Sequence, residues 1–311
     1  MVQEDVKQET VVMKPLEVKT PIDIIVPTHG NLELTMACIK NIYLFTQLPF
    51  HLIVTDDSTD LTPLYFTGLL KERSNLTYIH SDVPYKCGNQ FFNVGLAHCK
   101  YEFVATIMNS VTVQPDWEIV AVEMLRRNPK VATIGLKCLF PWGTIESAGI
   151  QIVKAEEYGA IQDSKGIHTK GVFPIDIGAN LPAHLLCNAY ERDAVQWAFA
   201  IHRKEALIGN LGEEDIFHGF KGWDDIDNCF VLRKKGWKIF YCGSGAGYHI
   251  PRATRGVEED DEKGIRLNQE NGVIFRNRWG LNGEKPAEEL KKTEPVPMNR
   301  AERRRMAKVK V

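Results

Sequence analysis

Between residues 22 and 108, four short apolar runs alternate with three helix-period segments. The runs cover residues 22–27, 52–55, 77–80 and 103–108, and the helical segments 32–44, 63–72 and 89–98. Strand and helix alternating at this spacing predict βαβ crossovers and therefore a central, mostly parallel sheet flanked by helices. Polar residues gather directly after the runs, at 28–31, 56–60 and 109–112. In an open α/β sheet those positions line the carboxyl edge, where ligands bind.

The chain of 311 residues is 44% hydrophobic, enough to bury one substantial core. A net charge of -2 gives no global field for nucleic acid or an anionic surface, so no nucleic-acid partner is expected. The seven cysteines form no Cys-x-x-Cys pair, and several sit inside apolar runs. They read as reduced thiols of a cytoplasmic protein rather than a disulfide or zinc framework. Met1-Val2-Gln3-Glu4-Asp5 has the character of neither a signal peptide nor a membrane anchor, and no apolar segment is long enough to span a bilayer.

Beyond residue 131 the pattern loosens. Residues 131–136 and 150–153 read as strands around a Gly143-Thr144 turn, and 155–190 as loops over a site. Residues 1–20 are expected to be flexible and 21–280 to form one domain, split into a nucleotide-binding half (21–130) and an acceptor-binding half (131–280). Residues 281–311 form a basic tail in which Arg300, Arg303, Arg304, Arg305, Lys308 and Lys310 face only Glu302 over the last stretch. It reads as disordered and solvated, with docking to a partner or an acidic membrane surface as the alternative.

The segment Gly222-Trp223-Asp224-Asp225-Ile226-Asp227 places three carboxylates where a helix begins, as caps for free N–H groups and partners for the positive dipole end. Gly236 ends that helix, residues 238–241 read as a short strand, and a second strand delivers His249.

Taken together, five segments resemble the family-two glycosyltransferases with the GT-A fold, in that family's order. They are Ile24-Ile25-Val26-Pro27-Thr28; Val54-Thr55-Asp56-Asp57-Ser58-Thr59-Asp60; Asn93-Val94-Gly95-Leu96 ahead of Met108-Asn109-Ser110; Gly135-Leu136-Lys137 with Gly143-Thr144-Ile145-Glu146-Ser147-Ala148-Gly149; and Asp224-Asp225-Ile226-Asp227 with Gly236-Trp237 and Tyr248-His249. The resemblance spans residues 21–250, with a weaker echo to Gly280. No Gly-x-Gly-x-x-Gly follows the first strand and no P-loop occurs, which disfavours dinucleotide and P-loop folds.

The resemblance implies an inverting transferase that moves a sugar from a UDP- or dTDP-type donor to a carbohydrate or other hydroxyl acceptor. Pro27, Thr28, Asp56 and Asp57 would read the base, with Lys86, Asn93, Asn109 and Ser110 near ribose and phosphates. Asp225 aligns with the general base that takes the acceptor's proton. Asp224 and Trp223 lie on the acceptor side, and His249 aligns with a histidine that approaches a metal or the diphosphate. Trp197, His202 and His218 are expected as exposed groups of the acceptor half.

One position departs from the family. The motif after the fourth strand normally ends in a metal-binding carboxylate, and here it reads Asn109-Ser110-Val111-Thr112. Mn²⁺ and Mg²⁺ want anionic oxygen, so a divalent cofactor is in doubt. Either cationic side chains replace it, with Lys86, Arg252 and Arg255 as candidates, or His249, the diphosphate and waters hold a weaker metal. Asp116, before Trp117, reads as a helix cap rather than a substitute ligand. The alternative reading of the whole chain is a non-catalytic relative that binds nucleotide or glycan.

Overall fold

The computed structural model describes residues 20–158, 161–163, 166–168, 171–209, 214, 216, 217, 219, 222–251, 253 and 262–281. The first half runs β1 (Ile22–Thr28), α1 (Leu32–Phe45), β2 (Phe50–Asp56), α2 (Thr62–Leu69), β3 (Leu76–His80), α3 (Gly88–Leu96) and β4 (Phe103–Ile107). Next come β5 (Val111–Val113), α4 (Ile119–Arg127), β6 (Val131–Leu139), β7 (Ile145–Ser147), β8 (Ile150–Lys154) and α5 (Ala155–Tyr158). The remainder is β9 (Ile161–Asp163), β10 (Gly166–His168), β11 (Val172–Asp176), β12 (Ala189–Glu191), β13 (Phe199–Arg203), α6 (Lys204–Leu207), α7 (Asp224–Lys234), β14 (Lys238–His249) and α8 (Glu262–Arg278).

Strands β3, β2, β1 and β4 are hydrogen-bonded in parallel, as the alternation predicts. β13 enters antiparallel between β4 and β6, and β6 pairs in parallel with β14. Two successive antiparallel pairings restore direction, so the ends of β4, β6 and β14 share one edge with those of β1 to β3.

Both faces of the sheet are covered, which is why β1 is buried along its whole length. Cys38, Ile39 and Ile42 of α1 pack on one face with Val122 and Leu125 of α4. Phe92 of α3, Phe230 of α7, and Phe275 with Trp279 at the end of α8 pack on the other.

Three local expectations are corrected. Residues 238–249 form one continuous strand rather than two, with a register shift between Cys242 and Ala246. The glycines there allow close approach: a Cβ at Gly243 would stand 1.9 Å from the Leu186 carbonyl oxygen, and one at Gly245 would stand 2.0 Å from that of Trp117. Asp116 is not a cap, because α4 starts at Ile119 and Asp116 adopts a φ of 60° in the turn before it. The neighbouring Glu118 is the fully buried acid, accepting from the Gln47 and Leu48 amides at 2.6 and 3.0 Å. Trp197 and His202 are core residues at 2% and 0% exposure. Thr106 and Thr133 hydroxyls flank the His202 ring, and burial pushes its pKa down to about 3.

The N-terminal segment 1–19, His218, Arg252, Arg255 and the tail from 282 lie outside the described residues.

Candidate functional site

The carboxyl edge begins with Pro27 and Thr28 at the end of β1, in register with Thr55 and Asp56 of β2. Thr28 is buried and its hydroxyl has no partner among the described residues. The two acids after β2 play different parts. Asp56 is fully buried and both its oxygens are engaged. Oδ1 accepts from the Ser58 amide at 3.0 Å and from the Ser58 hydroxyl. Oδ2 accepts from the Tyr78 hydroxyl at 2.5 Å and contacts His80 Nδ1 at 3.1 Å. Burial, and then the bond to Asp56, lift the Tyr78 phenol well above its ordinary range. Asp56 is therefore a brace inside the β2–α2 turn.

Asp57 is buried too, its side chain at 0% exposure, but it faces a different set of partners. Its Oδ1 stands 2.6 Å from Nδ1 of His29, a half-exposed ring, and its Oδ2 accepts the Tyr85 amide at 2.7 Å. The bond to Asp57 raises the His29 pKa, against burial, which works the other way. A carboxylate oxygen has two acceptor positions, and these two bonds use one on each Asp57 oxygen. His29 was not anticipated from the sequence, where it is one polar residue of a turn.

The loop after β3 links this pocket to the acids of α7. Tyr85 is held by Asp57, and three residues later α3 begins at Gly88. A Cβ at Gly88 would stand 2.5 Å from Oδ2 of Asp224, so the Asp224 carboxylate lies against the N-terminus of α3. There it meets the positive end of that helix dipole. The Asn228 amide bonds Asn89 at 2.7 Å and fixes the two helices to each other. Lys86 is exposed on the same loop, its amide donating to Gln90 at 2.8 Å. Asn93, one turn into α3, donates to Glu214 at 2.8 Å.

The α7 acids divide in a similar way. Trp223 precedes the helix with a φ of 77°, a left-handed conformation rare for a bulky residue. Its indole donates to the Asn268 carbonyl at 3.1 Å and its ring packs on Phe275, which ties the α7 start to α8. Asp225 is partly exposed, and its Oδ1 accepts the Ile226 amide at 2.8 Å. Asp227 is buried at 4% exposure, and its Oδ1 receives the Trp279 indole at 2.6 Å and Arg278 Nε at 3.2 Å. No side-chain bond caps the helix at its N-cap residue, Trp223.

The turn after β4 carries Asn109, Ser110 and Val111. Asn109 is buried, its amide donating to the Gly30 carbonyl at 3.3 Å and the Thr35 hydroxyl at 3.0 Å, so it braces the β1–α1 turn. Val111 is fully buried in the core and is the cross-strand partner of His249. Nδ1 of His249 stands 2.7 Å from Oε2 of Glu146.

Where a metal carboxylate is expected, the described residues of this edge offer a buried valine, two amide or hydroxyl dipoles and the His249 imidazole, with one carboxylate, Glu146, engaged by that imidazole. Among the described residues no group of three or more His, Cys, Asp and Glu side chains is placed to hold a metal ion. That donor set does not fit a hard divalent cation, which needs several anionic oxygens.

Residues 23–161 match the model for glycosyl transferase family 2. An uncharacterized protein of Sinorhizobium fredii (strain NBRC 101917 / NGR234), y4gI, is 28% identical over 272 residues, covering 85% of this chain. This chain spans only 28% of that relative's length.

Among solved structures, GalNAc-T7 with UDP, GalNAc and Mn²⁺ superposes with a TM-score of 0.62 at 11% identity, over 84% of this chain and 48% of its own. The mannosyltransferase PcManGT of Pyrobaculum calidifontis, in complex with GDP-Man and Mn²⁺, gives 0.54 at 16%, over 88% and 69%. Residues 1–349 of S. aureus TarS with UDP-GlcNAc give 0.51 at 15%, over 83% and 67%. These likenesses establish a GT-A-like α/β fold. Among the described residues no helix is long and apolar enough to cross a membrane.

Proposed function

We propose that this chain binds a nucleoside diphosphate sugar of the UDP or dTDP type and transfers the sugar, with inversion, to a hydroxyl of a carbohydrate or other acceptor. The observation that carries the reading is the turn at residues 85–89. Asp57 holds one end of it, and Asp224 with Asn228 holds the other. A base at Asp57 and an acceptor hydroxyl at the start of α7 would then lie on either side of one short loop and the amino end of α3.

In this reading Asp57 accepts the N3–H of the pyrimidine, beside Pro27 and Thr28. Asp225 takes the proton of the acceptor hydroxyl as that oxygen attacks the anomeric carbon in line, opposite the departing diphosphate. Asp224 and Trp223 shape the acceptor side, while Lys86, Asn93, Asn109 and Ser110 line the path between base and sugar. Seven free thiols accord with a reducing, cytoplasmic setting.

The reading is tested by titrating UDP, dTDP and GDP, and then UDP-sugars, against the parent and Asp57→Ala. Saturable binding of the pyrimidine nucleotides, weakened about ten- to hundred-fold by the substitution, is expected from loss of a charged hydrogen bond. A folded variant that binds as tightly as the parent overturns the base assignment. Donor binding with no turnover on any hydroxyl acceptor, unaltered by Asp225→Asn, would instead favour a binding protein.

A further inference from the structure

Of the six tryptophans in the chain, Trp142 alone is exposed, at 68%. It lies in the turn between β6 and β7, Phe140-Pro141-Trp142-Gly143-Thr144. The Gly143 amide donates to the Phe140 carbonyl at 2.9 Å, and the Phe140 amide to the Thr144 carbonyl at 2.8 Å. Pro141 supplies the fixed φ of the second turn position, and Gly143, at a φ of 89°, is the left-handed residue that closes the turn. A Cβ at Gly143 would meet nothing within 4 Å, so backbone conformation rather than space requires the glycine. Thr144 bridges to Pro182, and the Ile145 amide donates to the Leu181 carbonyl at 2.8 Å, which fastens the turn to the segment beside it.

The Phe140 ring stacks on the indole, with centroids 4.5 Å and planes 13° apart. One indole face is thus covered and the other is open to solvent. The third position of such a turn takes most residue types, so neither the turn nor the core calls for an indole there. An aromatic pair already held in place costs little to order when a flat ligand settles on it.

The turn stands at the carboxyl edge. Leu139, the last residue of β6, is in register with Tyr248 near the end of the parallel strand β14. In the sheet order β6 is four strands from β2, which is about 19 Å at the usual strand spacing. A base held at Asp57 is therefore out of reach of Trp142, and the indole serves some other part of the reaction.

We propose that the open face of Trp142 carries a sugar ring of the acceptor. This rests on the transferase reading above and narrows its acceptor to a saccharide. One face of a pyranose presents C–H groups, which the electron-rich indole face attracts, while the hydroxyls around its rim stay in water. A small alcohol offers no such face. Phe140 backs the indole and fixes its plane.

The test is ligand-observed NMR titration of the full chain with maltotriose, cellotriose, chitotriose and mannotriose at millimolar concentration, with and without UDP. UDP titration of the same proteins runs beside it. At least one trisaccharide should bind the parent. Trp142→Ala should weaken that binding about ten-fold or more, and Trp142→Phe, which keeps a flat ring, about three-fold or less. UDP affinity should stay within about two-fold of the parent in both variants, which also shows that they are folded. Trisaccharide affinity unchanged in Trp142→Ala, or lost together with UDP affinity, overturns the proposal. A parent that binds UDP and none of the four trisaccharides overturns it as well, and the transferase reading then stands. A parent that binds a trisaccharide through Trp142 but neither UDP nor dTDP overturns the transferase reading instead.

Discussion

Asp56 and Asp57 are adjacent in sequence and chemically identical, yet the structure assigns them separable consequences. Asp56 is wholly buried and holds three side chains, Ser58, Tyr78 and His80, at the end of β2 and β3. Asp56→Ala leaves the Tyr78 hydroxyl and the Ser58 hydroxyl without their shared acceptor. Removing one member of a buried, charged network costs about 3 to 5 kcal/mol. Asp57→Ala leaves the buried Tyr85 amide without its acceptor and removes one partner of the half-exposed His29, at a cost of about 1 to 3 kcal/mol. Urea denaturation followed by circular dichroism measures both costs, and UDP titration of the same proteins measures nucleotide affinity. Asp56→Ala should be strongly destabilised, while Asp57→Ala should stay folded and lose nucleotide. Equal stability losses at both positions, or an Asp56→Ala protein within about 1 kcal/mol of the parent, would refute the division.

Other outcomes follow from the same geometry. Asp225→Asn keeps the acceptor for the Ile226 amide and removes the basic oxygen, so turnover should fall about a hundred-fold or more with donor affinity little changed, read by steady-state kinetics. Asp227→Ala strands the Trp279 indole and Arg278, so it should cost about 2 to 4 kcal/mol in urea denaturation. His202 is depressed to about 3 when folded, so the unfolded chain binds the extra proton below about 6.5. Its contribution is complete above that pH and is lost on acidification, by roughly 2 kcal/mol between pH 7 and pH 5, a loss that His202→Gln should not share. Val111→Asp places a carboxylate in the apolar core, so it should lower the denaturation midpoint sharply and confer no Mn²⁺ binding in a metal titration.

What the sequence revealed and what it hid follow the range of the interactions involved. The βαβ order and the polar carboxyl edge of the sheet were legible from residues 22–108, because apolar periodicity and strand–turn acids are local signals. The start of α7 at Asp224 was legible for the same reason. The separate fates of Asp56 and Asp57 were not, since they depend on Tyr78 and His80 from β3 and on His29 in the turn after β1. The continuous β14 was hidden because glycines at 243, 245 and 247 interrupt the apolar pattern, whereas Gly243 and Gly245 let the strand pass close to the Leu186 and Trp117 carbonyls. The Glu146–His249 pair was hidden because β6 lies between its two strands, and no sequence spacing encodes that bridge. Trp197 and His202 looked like surface groups, but two threonines satisfy the His202 ring inside the core.

The central claim is that this edge binds a pyrimidine nucleoside diphosphate sugar next to a proton-accepting Asp225. The most direct measurement is NMR of the full chain incubated with a panel of UDP- and dTDP-sugars and a set of hydroxyl acceptors. The anomeric configuration of the product is read directly from its proton coupling. The account predicts transfer from at least one pyrimidine donor, with the product anomer opposite to that of the donor, and loss of that product in Asp225→Asn. A product that retains the donor's configuration, or transfer undiminished in Asp225→Asn, would contradict it.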